Sequence, residues 1–477
     1  MSLAKPVQIA PRSVAQLEHV IGEERHDQLV RAAGQFRIAL AGRTVWNVSS
    51  TAVGGGVAEM LHALLGYVDD LGITSRWMVI TGDAEFFVIT KRLHNQVHGD
   101  ASGGALTAAD AGRYARMLAA NAVELLDYIR PGDLVLLHDP QTAGLTEYLT
   151  HAGALVAWRS HIGVDWHNEV TDSAWSFLLP NLVAARGFIF SRREYVPRQI
   201  PGDKVAIIPP SIDPFSPKNQ RLNADTVRAT LSTIGVLDGT APSERTAFTR
   251  RDGTTGYVRQ RAEITGDSRP KPDDPLVVQV SRWDYLKDMP GVMRGFAEYV
   301  APASDAYLVL AGPAVAGVAD DPEGAAVFAE CLLQWRDLPT RARNRILLVT
   351  LPLDDADENA AMVNALQRHA AVIVQKSLAE GFGLTVAEGM WKGRPVVGSA
   401  VGGIIDQIAA GTGILLPDPH DLAAFGSDVR RLLDNPDEAD HMGRAAQAHI
   451  TRNYVGDQHL LRYAKLFTGI MQHAAVV

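Results

Sequence analysis

KSLAEGFGLTVAEGMWKGRPVVGSAVGGII, residues 376–405, is the stretch on which the fold of this chain turns. It follows an apolar run at residues 370–374 that reads as a buried strand. Glu380-Gly381-Phe382-Gly383 then makes a loop that no regular element would choose. Leu384, Val386, Ala387, Met390 and Trp391 place apolar side chains at helical spacing. Gly393-Arg394-Pro395 ends that helix, and residues 395–399 open another strand. Strand, glycine loop, helix, strand is the unit of a doubly wound α/β sheet. The loop presents the N–H groups of Gly383, Leu384 and Thr385 at a helix N-terminus, where an anion is favoured. Glu380 and Glu388 flank it. A pure phosphate site would not want two carboxylates. A site for phosphate and several hydroxyls would, because carboxylates accept hydrogen bonds from sugar hydroxyls. The plain alternative is two ordinary glutamates beside a glycine turn.

The same unit recurs upstream. Residues 43–49 form a strand, RTVWNVS, leading into Gly54-Gly55-Gly56 and then an apolar helix and a strand at residues 75–81. Glycines there let backbone approach a ligand closely. The dinucleotide fingerprint fails, because Glu59 stands where its third glycine belongs. Polar groups gather at two later strand ends, His138-Asp139-Pro140-Gln141 and His161 with its neighbours, where open α/β sheets put ligands. Residues 82–98 read as an unusual connection. His94 and His98 could share a helix face but lack a third metal ligand. Residues 209–214, PPSIDP, break the chain and mark a boundary. Residues 222–275 are polar and read as an exposed or partly disordered insertion. Strand–helix alternation restarts at Leu276. Arg282 and Lys287 stand just past that strand, where a cation could neutralise a diphosphate. The expected division is therefore 1–214 and 215–454, with a last helix, about 455–477, returning to the first domain.

Composition narrows the class. The 477 residues carry 45 basic and 54 acidic side chains, a net charge of −9, which argues against general nucleic-acid affinity. An anionic small substrate stays allowed, since screening over about 8 Å lets local charges decide. No apolar run is long enough to span a bilayer, the opening MSLAKPVQIAPRSVAQ has no apolar signal core, and a single cysteine, Cys331, permits no internal disulfide. These features lead to the expectation of a cytoplasmic protein without membrane association.

Glu380 and Glu388 across a GFG loop resemble the E-x7-E motif of retaining GT-B glycosyltransferases of the GT4 type. A branch of that family, the trehalose glycosyltransferring synthases, is resembled at Gly54 to Glu59, Glu85-Phe86-Phe87, Thr90-Lys91, His94-Asn95, His138 to Gln141, Trp158-Arg159 and His161-Ile162. The likeness continues at residues 209–214, Ser281-Arg282, Lys287, Asp321-Pro322-Glu323-Gly324 and residues 380–403. It implies two Rossmann-like domains facing a cleft, and transfer of glucose with retention from UDP-, ADP- or GDP-glucose to glucose. The implied product is α,α-trehalose, with no metal required and no tightly bound cofactor. The implied donor-binding residues are Gly55, Gly56, Arg282, Lys287, Gly381, Phe382, Gly383, Leu384, Thr385 and Glu388. Glu85, Lys91, Asn95, His138, Asp139 and Gln141 would hold the acceptor. His161, Glu380, Arg282 and Lys287 would act in catalysis. A trehalose phosphorylase, a non-catalytic two-lobed sensor of sugar nucleotides, and a glycosidase using the two glutamates are the competing readings. The partners expected are small molecules alone, with a homodimer left open.

Overall fold

The computed structural model describes residues 3–52, 55–101, 103–315 and 322–476. Gly54 and Asp321, named above, lie outside them. The chain divides into two units, Met1–Ser211 with Tyr454–Val477, and Ile212–Asn453.

The first unit is built on β1 (Ala4–Pro6), β2 (Val45–Ser49), β3 (Ser75–Ile80), β4 (Leu134–His138), β5 (Leu155–Arg159), β6 (Gly187–Phe190) and β7 (Val205–Ile207). They lie in the order β1-β3-β2-β4-β5-β6-β7, parallel except for β1. β2, β4 and β5 are buried along their whole length, which is why each reads as a continuous apolar run rather than an alternation. One core cluster centres on Val48, Leu137, Trp158 and Trp175. On the other face of the sheet, Phe36 and Leu40 of the helix Glu23–Leu40 meet Phe467, Ile470 and Met471 of the last helix, Gly456–Val476.

In the second unit a small antiparallel pair, β8 (Ala247–Thr249) and β9 (Thr255–Tyr257), stands apart from the main sheet. That sheet holds β10 (Glu263–Thr265), β11 (Leu276–Val280), β12 (Tyr307–Pro313), β13 (Ile346–Leu351), β14 (Val372–Gln375), β15 (Val396–Ser399) and β16 (Ile414–Leu416). Its order is β10-β13-β12-β11-β14-β15-β16, with β10 antiparallel to β13. In both units the strand order turns back on itself, at β2/β4 in the first and β11/β14 in the second. Loops that leave such a switch point diverge and open a crevice at the strands' C-terminal ends.

Two expectations need correction. Residues 82–98 are a regular helix, Ala84–Val97, started by Asp83, whose carboxylate accepts the Phe86 N–H at 2.8 Å. Polar residues on its exposed side had masked the periodicity. The insertion at 222–275 is an ordered part of its unit. Its helix Ala224–Ile234 buries Val227, Leu231 and Ile234, and β10 extends the main sheet. Its polar side chains are used as clamps. Arg250 grips Asp355 at 3.0 and 2.6 Å, and the N–H groups of Arg259 and Gln260 both donate to Glu358 at 2.6 Å. A segment held by polar pairs has the composition of an exposed one.

Candidate active site

In the second unit the switch point brings two loops together. Lys287 leaves a short turn after β11, and Glu380 lies in the loop after β14. The Lys287 ammonium donates to Glu380 Oε2 at 2.6 Å, and the Ser377 hydroxyl reaches the same oxygen at 3.3 Å. Both charged side chains are largely buried. The loop closes on Gly383, whose φ of 80° is a left-handed conformation that suits glycine. The helix Leu384–Trp391 begins there with no side chain capping it. The Val386 N–H donates back to Gly383 O at 2.9 Å, which leaves the amides of Leu384 and Thr385 at the half-exposed start of the helix. The loop is braced from behind by Gly403, where a Cβ would stand 2.6 Å from Phe382 Cα and 2.8 Å from Phe382 O. The Gln407 amide also donates to Phe382 O.

Glu388 sits one turn into this helix and is only 4% exposed. Lys218 approaches its Oε1 at 3.6 Å, while Oε2 is buried with no hydrogen-bond partner among the described residues. An unsatisfied buried acceptor is costly, and calls for a donor to complete it. Thr385 turns its hydroxyl to Gln375 Oε1 at 3.1 Å, which ties the helix start to β14. Arg282 is placed differently from Lys287. Its side chain is 63% exposed and pairs with Asp284 at 3.0 Å.

In the first unit β2, β4 and β5 supply a second cluster. His138 Nε2 lies 3.1 Å from Asn47 Oδ1, and His138 Nδ1 lies 3.0 Å from His161 Nε2. With the Asn47 oxygen accepting, His138 carries its proton on Nε2, and its Nδ1 accepts from the His161 Nε2–H. Burial, then the Arg159 guanidinium, pushes His138 down to about 3 and holds His161 well below the usual imidazole range. Both rings are thus neutral near pH 7. Asp139 has a φ of 65°, and its carboxylate accepts the His161 N–H at 2.7 Å. Burial nonetheless raises its carboxyl to about 7. Beneath the cluster Arg159 is fully buried, donating to Ile208 O at 3.0 Å and facing His459 Nε2 at 2.9 Å and the Tyr463 hydroxyl.

The chain matches a family model described as "Trehalose synthase, N-terminal domain" over residues 47–197 and one described as "Glycosyl transferases group 1" over residues 354–449. It is 32% identical to a trehalose synthase of Pyrococcus horikoshii, an alignment covering 96% of this chain and 97% of the relative. This chain belongs to the trehalose synthase family. A trehalose phosphorylase of Grifola frondosa is 25% identical over 84% of this chain but only 54% of its own length. Among solved structures, a UDP-forming alpha,alpha-trehalose-phosphate synthase of Burkholderia vietnamiensis superposes with a TM-score of 0.64 at 15% identity, covering 90% of this chain and 98% of that one. The trehalose synthase family member described here is thus a glycosyltransferase enzyme of trehalose metabolism with the GT-B fold.

Within that family the structure sorts the residues singled out from sequence. Lys287, Glu380, Gly381, Phe382, Gly383, Leu384, Thr385 and Glu388 gather around one loop and the start of its helix. Arg282 follows β11 but points at Asp284. In the first unit His138, Asp139 and His161 form one cluster, with Gln141 on the turn that follows and its Oε1 buried without a hydrogen-bond partner among the described residues. His138 is itself buried, with both ring nitrogens engaged. Glu85 and Lys91 lie exposed on the helix Ala84–Val97, with Glu85 paired to Arg113, and Asn95 follows on the next turn. Gly55 and Gly56 open the helix Gly55–Asp70. The rings of His94 and His98 lie 5.0 Å apart, tilted by 57°, and no group of three or more potential metal ligands occurs among the described residues. Nor is any helix there long and apolar enough to cross a membrane.

Asn47, Lys218 and Ser377 went unrecognised in the sequence. Asn47 had a usable signal, a lone amide inside the apolar strand VWNVS. Lys218 had none, because its partner lies far along the chain.

Proposed function

We propose that this enzyme moves glucose from a nucleoside diphosphate glucose to glucose and forms α,α-trehalose with retention of configuration. The observation that carries the proposal is the pairing of uncapped loop amides with two differently treated carboxylates. Glu380 is ion-paired to Lys287, whereas Glu388 keeps a buried oxygen unsatisfied. The loop amides and Lys287 would hold the diphosphate and stabilise the charge that develops on it as the glycosidic bond breaks. Glu388 would complete its hydrogen bonding with nucleoside hydroxyls, and Glu380, held by Lys287, would lie beside the sugar. The departing phosphate oxygen would take the acceptor proton, on the face from which it leaves. What remains for the protein is positioning and electrostatic stabilisation. Asp139, His161 and Gln141 are the groups of the first unit best placed to hold an acceptor, and neutral His161 presents hydrogen bonds without adding charge. Arg282 would have to leave Asp284 to join a diphosphate.

Product analysis by NMR, with UDP-, ADP- and GDP-glucose against glucose and other small polyols, tests this reading. The expected product is α,α-trehalose, formed only with a nucleotide donor. Trehalose formed from glucose 1-phosphate with release of phosphate would establish a phosphorylase instead. Absence of transfer from every donor would remove the reading.

A further inference from the structure

The helix Gly456–Val476 turns one face to the first unit's core and another to a groove that the proposed reaction does not use. This groove has a volume of about 590 Å³ and runs between the helix and the edge strand β7. Arg186, Lys204, Arg462 and Lys465 line it, with Asp203 as the acid of the lining. None of these four cations forms a salt bridge among the described residues. Another basic lining group, His473, has its Nδ1 2.7 Å from Gly469 O of its own helix. On a chain of net charge −9, four unpaired cations around one concavity oppose the general balance. They repel one another, and the repulsion is relieved when an anion enters.

Gly469 adds a second, independent sign. It lies inside a helix, where glycine is a poor former, yet a Cβ there would meet nothing within 4 Å. Close packing therefore does not require it. Its effect is to leave the wall open one turn beyond Lys465, on the face that Arg462 and Lys465 share. The volume is that of a small-molecule site rather than of a flat surface for a macromolecule. Ile207, Leu466 and Ile470 supply apolar walls, and the outer edge of β7 offers backbone N–H and C=O groups to hydroxyls.

We propose that this groove binds a small phosphorylated anion, either a sugar phosphate or a free nucleotide. The cations take the phosphate, and the apolar walls and strand edge take the ring. The test is isothermal titration of the full chain with pyrophosphate, glucose 6-phosphate and ADP. Three variants are compared with the parent: Arg462→Glu/Lys465→Glu, Gly469→Phe, which fills the space and keeps every charge, and Lys287→Ala. Saturable binding of at least one probe is expected, about tenfold or more weaker in the first two variants and retained in the third. Preference for glucose 6-phosphate identifies a sugar-phosphate site, and preference for ADP a nucleotide site. A binding component lost only in Lys287→Ala belongs to the donor site; isotherms in which neither groove variant weakens any component, or no binding by any probe, overturn the proposal.

Discussion

Glu380 and Glu388 lie in one motif but in different surroundings, and the difference predicts different kinetics. A carboxylate on nucleoside hydroxyls binds ground state and transition state alike, so Glu388→Gln is expected chiefly to raise the donor KM. One beside the reacting sugar also favours positive charge developing at the anomeric carbon, so Glu380→Gln is expected chiefly to lower kcat. Steady-state kinetics with a saturable donor decide it; full kcat in Glu380→Gln with loss in Glu388→Gln reverses the assignment. Titration gives a second outcome at this scale. An unfolded imidazole protonates near 6.5, while burial keeps His138, His161 and His459 neutral far below that, His138 down to about 3. Their contribution to stability is complete above the unfolded value and is lost as pH falls through the window beneath it. Asp139 works in the opposite sense. It keeps its proton up to about 7, so its ionisation favours the unfolded chain as pH rises from its ordinary value. Three imidazoles outweigh one carboxyl. The melting temperature is expected to fall between pH 6.5 and 4.5, and less steeply in His138→Gln. One proton corresponds to about 1.4 kcal/mol per pH unit. An unchanged slope in that variant places the titration elsewhere.

Among the elements, the glycine loop has the most exacting construction. Its position depends on contact with the helix Gly403–Gln407, where Gly403 leaves no room for a side chain. In Gly403→Ala the added methyl must push Phe382 and the loop amides outward. Overpacking of this kind costs about 1–3 kcal/mol. The expected outcome is a lower melting temperature together with a donor KM raised about tenfold or more. Wild-type KM would show that the loop amides do not hold the donor. The strand–loop–helix units themselves were legible because apolar runs and helical spacing are local. The helix Ala84–Val97 was overlooked, although Asp83 stood three residues before Phe86 as a capping signal. The insertion misled because low apolar content describes polar clamps and solvated loops equally.

For the whole molecule, the last helix matters most. It belongs to the unit that begins the chain, and Asp457 binds Arg25 there at 2.7 Å. Phe467 stacks on Phe36 with ring centroids 6.3 Å apart. Phe467→Ala is expected to destabilise the first unit by about 3–5 kcal/mol, a large share of a domain's stability. Calorimetry should show the first unit's transition moving down while that of Ile212–Asn453 stays in place. Equal movement of both transitions contradicts the division into two units.

Patterns that depend on neighbours along the chain were determined by the amino-acid sequence alone. These are the strands, the glycine loops, the doubly wound class, and the family signature in residues 376–405. Facts that depend on residues far apart in sequence came only from the tertiary structure. It joined Lys287 to Glu380, Lys218 to Glu388 and Asn47 to His138. It also buried Arg159 against a helix 300 residues away. The reason is physical: backbone propensity and periodicity act over a few residues, whereas a buried charge takes whichever partner the packing of distant segments brings within reach.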